Sequence, residues 1–368
     1  MAGPDQKSRQ LLNALQAGLA LDERPFKLLG EKCGFSEDEV LARLSQLKDN
    51  GTVREISAIF DTRALGYESC LAACKVLPEK LDAAAAVLNQ HPGITHNYAR
   101  DHAFNLWFTL AVPPGSDLQA HAEVLLKTSG AESIRLLPAL RVFKIGVKLD
   151  MSGGEEAPRA ASTTGVSPVG TSPQAAGSTG VSPVETFPQA AKERQPLTEQ
   201  DKRCVRALQK DMPLLAEPFA SIAADAGVTG GALFDWCRGS MRVGRLRRIA
   251  GVLRHRLAGF HGNGMGAWNV PPERLEELGK FFAAQAAVTH CYQRPQYPDW
   301  PYNLFTMVHA RTVAECGEII AALARQAKVD QYAVLYSHKE YKKTRLRYFT
   351  GDVNAWEQSH GVKSGSGA

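Results

Sequence analysis

The 368-residue chain has no apolar run long enough to cross a bilayer, so a helical membrane protein is not expected. Its first residues, MAGPDQKSRQ, contain no signal-peptide core and lead into a short amphipathic helix, which points to a cytoplasmic protein. There is no CxxC pair among its seven cysteines. Cys70 and Cys74 lie four apart in a stretch that reads as a strand, a spacing without zinc geometry, so free thiols are expected. No sign of charge dominates either: the net is only +5, with 22% charged and 44% hydrophobic residues. That is the composition of a globular protein, and the length calls for two domains or more.

The charge is informative once divided along the chain. Residues 1–150 carry 17 basic against 18 acidic side chains, residues 151–194 carry 3 against 4, and residues 195–368 carry 23 against 16. The whole basic excess therefore sits in the C-terminal part, which suits a polyanionic partner there, nucleic acid or polycarboxylate. The middle segment is rich in Ser, Thr, Gly, Pro and Ala and repeats itself, TGVSPVGTSPQAA from Thr164 and TGVSPVETFPQAA from Thr179. Such a stretch cannot bury enough apolar surface to offset its ordering entropy and reads as a disordered linker over 151–194.

The flanking parts are copies of one plan. GTVREISAIFDTRALGY (51–67) aligns without gaps on GRLRRIAGVLRHRLAGF (244–260). THNYARDHAFNLWFTL from Thr95 returns as THCYQRPQYPDWPYNLFTM from Thr289, so Thr-His-x-Tyr-x-Arg is written twice. Each copy opens with helices around a CGFS or AGVT turn, with Ser36 and Thr229 placed as N-caps. A hairpin centred on Gly51 or Gly244 is expected to form a wing. Strand and helix then alternate as βαββαβ, a ferredoxin-like order. In the first copy the expected strands are 69–76, 94–98, 105–112 and 142–148; in the second they are 265–270, 289–293, 303–308 and 331–336. The fold class expected is α+β: two tandem copies of a winged helix-turn-helix (1–62 and 195–255) plus a ferredoxin-like domain (63–150 and 256–350). Two four-stranded sheets with bare faces should pack together as an intramolecular pseudo-dimer.

A DNA-reading helix needs cations and amides at its N-terminus. The first candidate starts with Glu37, Asp38 and Glu39, and the second offers Asp235 and one arginine, Arg238. Specific DNA binding is not expected. On a strand, His96, Tyr98 and Arg100 share one face, as do His290, Tyr292 and Arg294. Aromatic walls with converging cations suit a flat anionic ligand. The second copy adds Arg245, Arg247, Arg248, Arg254, His255 and Arg256, where the first has Asp61-Thr62 opposite Arg254-His255. One productive centre and one supporting copy is therefore the expectation.

REISAIFDTRALGY, HPGITHNYARDHAFNLWFTL, RRIAGVLRHRLAGF and THCYQRPQYPDWPYNLFTM resemble the siroheme decarboxylases, which are similar in fold to the Lrp/AsnC regulators. The resemblance covers both halves but not the linker, each half resembling one subunit of a two-subunit enzyme. It implies loss of the C12 and C18 acetate carboxyl groups of siroheme as CO2, giving 12,18-didecarboxysiroheme for haem or haem d1 synthesis. His290 and His255 are then candidate proton donors, with His96 as the duplicate and Tyr292 assisting. Arg247, Arg248, Arg254, Arg256, Arg294 and Arg100 would hold the substrate's carboxylates, with Tyr98, His102 and Trp268 as further substrate contacts. A histidine could also ligate the iron axially. No flavin, pyridoxal or separate metal motif is present, so no cofactor beyond the substrate's iron is expected. The alternative is a tetrapyrrole sensor that kept the fold without the reaction. Which half is productive, and whether the chain dimerises further, stay open.

Overall fold

The computed structural model describes residues 5–145, 196–253 and 262–362, and the linker expected over 151–194 lies outside them. Each half opens with three helices. In the first these are α1 (Gln6–Ala17), α2 (Pro25–Cys33) and α3 (Glu37–Asp49). The acids of α3 have local partners: Ser36 and Glu39 form a reciprocal capping box, and Arg24 pairs with Glu37. After α3 the chain turns through Gly51 at φ 75° into β1 (Val53–Phe60).

The first half continues with β2 (Glu68–Lys75), α4 (Leu81–Asn89), β3 (Ile94–Arg100), β4 (Leu106–Val112) and α5 (Leu118–Ser129). It ends on β5 (Ser133–Leu137) and β6 (Arg141–Ile145). The second half repeats the order with α6 (Glu199–Leu208), α7 (Pro218–Ala226), α8 (Gly230–Arg242), β7 (Leu246–Leu253) and β8 (Gly262–Trp268). Then come α9 (Leu275–Ala284), β9 (Val288–Gln293), β10 (Leu304–Ala310), α10 (Val313–Ala327), β11 (Tyr332–Lys343) and a closing helix α11 (Asp352–His360). Among the described residues no helix is long and apolar enough to cross a membrane.

The halves join differently from expectation. Among the described residues no wing hairpin forms: β1 pairs antiparallel with β7, so the two helix-turn-helix domains share one two-stranded ribbon. Nor are there two separate four-stranded sheets. Nine strands run in the order β5-β2-β4-β3-β11-β8-β10-β9-β6. Strand β11 outruns the expected 331–336 because its first part pairs with β8 and its second part with β3 of the other half. Conversely β6, expected as the first half's own fourth strand, pairs with β9. The strand that fills that fourth place is β5, on β2. Since β5 and β6 are the two outer strands and only residues 138–140 separate them, the sheet must curl back on itself. Its inner face buries Ala73, Trp107 and Leu137 against Met265, Trp300, Phe305 and Leu335, the face-to-face packing expected of the two halves.

Three inter-half strand pairings hold the molecule together without help from the linker. Cleaving the chain within 151–194 should leave both pieces in one particle on gel filtration at micromolar concentration. Separate elution would show that β1–β7, β3–β11 and β6–β9 do not carry the association.

Helix α11 is tied down by a buried chain of imidazoles. Gly93 N–H donates to His91 Nδ1, so His91 Nε2–H points to His121 Nδ1 at 2.8 Å, and His121 Nε2–H to Glu357 at 2.9 Å. Burial pulls His91 down to about 3, with His121 next in effect, and His121 is also lowered by burial. Because the unfolded chain takes up these protons first, stability is full above about pH 6.5 and is lost as pH falls toward the folded value. One such histidine costs about 2 kcal/mol between pH 6.5 and 5. Thermal unfolding should therefore weaken over that interval, and less so in His91→Gln. Parallel slopes for the two proteins would refute the assignment.

Candidate functional site

The doubled motif forms matching rows on β3 and at the end of β9. His290 and Tyr292 rings stack at 6.0 Å, and Arg294 lies 4.9 Å over Tyr292. In the first copy His96 lies 6.3 Å from Tyr98, with Arg100 5.9 Å over the phenol. Each histidine is oriented by the preceding threonine: Thr289 Oγ1 lies 3.0 Å from His290 Nδ1, and Thr95 Oγ1 2.9 Å from His96 Nδ1. Thr289 also meets His309 Nδ1 at 3.1 Å, whereas Thr95 meets Thr109 at 2.7 Å.

Each arginine bonds a carbonyl across the sheets. Arg100 donates to Leu335 O at 3.0 Å and Arg294 to Leu137 O. Neither forms an ion pair among the described residues, and each leaves its Nε–H without a partner. Burial pulls both guanidiniums down to about 10, against the pull of Tyr98 and Tyr292 respectively. A buried cation without a counter-charge carries a desolvation cost that an anion would offset.

Tyr292 and Arg294 line a cleft of about 440 Å³, and most of its remaining wall comes from the first half. Phe60, Asp61, Thr62 and Arg63, Cys70 and Thr109, and Val142 of β6 are among the residues that line it. Arg247 reaches in from β7 and pairs with Asp61 at 2.7 Å. The site is thus a composite of both halves. His290 stands one strand step behind Tyr292 and does not line the cleft. Its pKa is lowered to about 4 by burial, then by His309, Arg294 and Lys144. His96 is lowered by burial and by Lys343. Arg54, the counterpart of Arg247, adds a smaller push in the same direction.

Other sequence-predicted residues fall elsewhere. Trp268 is a core residue: it stacks on Phe282 at 4.5 Å and Tyr332 at 5.3 Å and donates to Thr306 at 3.0 Å. A large ring at the end of an interior strand fills the space under α9, which leaves it no surface for substrate. Arg248 is exposed on the outer side of β7 beside Gly18, opposite Arg247. His102 accepts from Phe104 N–H at 3.0 Å and meets the edge of Trp300, outside the cleft lining. Arg254, His255 and Arg256 lie outside the described residues. Arg63 is not among the sequence-predicted site residues, though the gap-free alignment of 51–67 on 244–260 sets it against Arg256. Lys144 and His309 had no local signal, being brought to His290 by β6 and β10.

A duplicated helix-turn-helix and effector-type domain, closed around a cationic cleft, defines the class. An AsnC-like ligand binding domain model matches residues 64–144 and 257–342. A siroheme decarboxylase NirDL-like HTH domain model matches 8–54 and 201–247. A siroheme decarboxylase of Hydrogenobacter thermophilus is 35% identical over 348 residues, 94% of this chain and 96% of that protein. The crystal structure of the siroheme decarboxylase NirDL superposes with a TM-score of 0.74 at 30% identity, covering 96% of this chain and 98% of that one. The same protein in complex with an iron-uroporphyrin III analogue gives 0.73. The chain belongs to the siroheme decarboxylase family.

Proposed function

We propose that the chain removes the C12 and C18 acetate carboxyl groups of siroheme as CO2, giving 12,18-didecarboxysiroheme. The observation that carries this reading is Arg294, a guanidinium without a carboxylate partner among the described residues, set against Tyr292 in a cleft that Arg247 and Arg63 also line. Siroheme presents eight carboxylates around a flat iron macrocycle, and planar cations against an aromatic wall match that shape. Relatives that act on siroheme, one of them crystallised with an iron porphyrin analogue, support the same ligand class.

Heterolysis of the bond between the acetate methylene and its carboxyl carbon releases CO2 and leaves an electron pair that the macrocycle delocalises. The methylene carbon then takes a proton. Arg294 and Arg247 anchor carboxylates that do not react, while the reacting one is left desolvated. Burial first, then His309, Arg294 and Lys144, pulls His290 down to about 4, which favours the neutral imidazole before substrate arrives. Substrate carboxylates on Arg294 offset its repulsion, so the imidazole gains basicity and can supply the proton by way of Tyr292, its ring neighbour that does line the cleft. No cofactor beyond the iron of the substrate enters the proposal. The helix-turn-helix domains act as a joining element through the β1–β7 ribbon, not as readers of a DNA sequence.

Anaerobic incubation with siroheme, followed by mass spectrometry, should show two successive losses, each the mass of one CO2. Siroheme that binds stoichiometrically and is recovered unchanged would overturn the reading in favour of a sensor.

A further inference from the structure

A second concave site lies on the second helix-turn-helix domain, away from the decarboxylation cleft. It has a volume of about 380 Å³ and is walled by Arg203, Arg206 and Lys210 from α6 and the residues after it, by Asp225 of α7, and by Arg347 and Thr350 after β11. Among the described residues only Lys210 has a carboxylate partner there, Asp225 at 2.7 Å. Arg206 and Arg347 are cross-braced, donating to Phe349 O and Gln209 O, each at 3.2 Å. The braces use one nitrogen of each guanidinium and fix the plane of the remainder.

Duplication supplies an internal control. At the alignment offset that sets Gly244 on Gly51, Arg203, Arg206 and Lys210 fall on Gln10, Asn13 and Ala17, and Asp225 falls on Lys32. The same helix in the same fold therefore forms without the cations. Placing Arg203 and Arg206 at i and i+3 of α6, with Lys210 just past its end, costs stability through like-charge repulsion, although the C-terminal dipole of α6 offsets part of it. The basic excess of residues 195–368 has one concentrated site here that siroheme chemistry does not require.

We propose that this cleft binds a small, multiply charged oxyanion, a phosphate ester or a polycarboxylate, as an effector of the enzyme. The concavity favours a compact ligand over a nucleic acid, which needs an extended cationic track. Its effect has a route to the catalytic cleft. Gln209 and Tyr348 exchange two hydrogen bonds, Gln209 Nε2–H to Tyr348 O at 3.0 Å and Tyr348 N–H to Gln209 Oε1 at 2.7 Å. The Tyr348 hydroxyl meets Thr62 at 2.9 Å, and Thr62 lines the decarboxylation cleft.

The test uses the full chain and the triple variant R203Q/R206N/K210A, which writes the first half's side chains into the second. Pyrophosphate and citrate serve as probes, with sodium chloride matched for ionic strength. Either probe should raise the Tm of the parent protein by a few degrees, and the rise should vanish in the variant. Pyrophosphate acting alone identifies a phosphate ester site, and citrate acting alone a polycarboxylate site. An equal rise in the variant, or none in the parent beyond the chloride control, overturns the proposal. Tighter binding of a short DNA duplex than of either probe, lost in the variant, overturns it in favour of nucleic acid. Siroheme turnover by the variant without effector should match the parent, since none of the three residues lines the decarboxylation cleft; a collapse of basal turnover counts against an effector role.

Discussion

His290→Ala is expected to lower decarboxylation by roughly two to four orders of magnitude, the range for a lost proton donor. Siroheme should still bind, because Arg294, Arg247 and Arg63 remain. His96→Ala should cost less. The asymmetry rests on what completes each row: Tyr292 and Arg294 open onto a cleft with two further arginines, and His290 has His309 behind its threonine where His96 has Thr109. Side-by-side turnover assays, with titration of the visible spectrum to report binding, separate chemistry from affinity. If His96→Ala abolishes turnover and His290→Ala leaves it intact, the productive cleft is the one beside β3. The pH profile adds a second check. An imidazole near 4 in the free protein that rises as carboxylates cover Arg294 should give a higher apparent pKa in kcat than in kcat/KM. The same shift in both parameters would mean that substrate does not recharge His290.

Much of this arrangement is legible in the sequence, for reasons that also mark where reading stops. Ser36 and Thr229 cap helices because their hydroxyls reach the amides three residues on, a local rule that needs no tertiary information. The two-residue spacing of His, Tyr and Arg fixes a shared face on any strand, and both rows obey it. What is not legible is the partner across a strand. Val53-Arg54-Glu55 could as well have turned back on its own chain as paired with β7, since the apolar alternation is the same in both cases. Likewise β5, with Ile134, Leu136 and Leu137 around Arg135, is too short and too mixed to announce itself before Pro138. The exchange of β6 and β11 between halves is set by distant pairing, and so is the meeting of Asp61 and Arg63 with Arg294. Trp268, a substrate contact only by the resemblance, marks the same limit: packing places it in the core against Phe282.

Arg294 offers the sharpest separation of function from stability. Its guanidinium sits against Tyr292 and Phe305 with a carbonyl and, among the described residues, no carboxylate for company and no partner for its Nε–H. Holding a charge there costs free energy that the free protein does not recover. Arg294→Met keeps the length and the apolar contact and removes the charge, so the fold should hold its Tm or gain on it. Substrate is affected in the opposite direction. The carboxylate that Arg294 receives would be left desolvated, weakening siroheme binding by about 2–5 kcal/mol, which is roughly thirty- to several-thousand-fold in Kd. Arg294→Lys should fall between, since an ammonium keeps the charge but not the planar, two-point grip. Thermal unfolding and spectral titration on the same three proteins decide the matter. A Tm that drops sharply in Arg294→Met while siroheme affinity is unchanged would make Arg294 a structural brace to Leu137, and the anion receptor would have to be sought at Arg247 and Arg63.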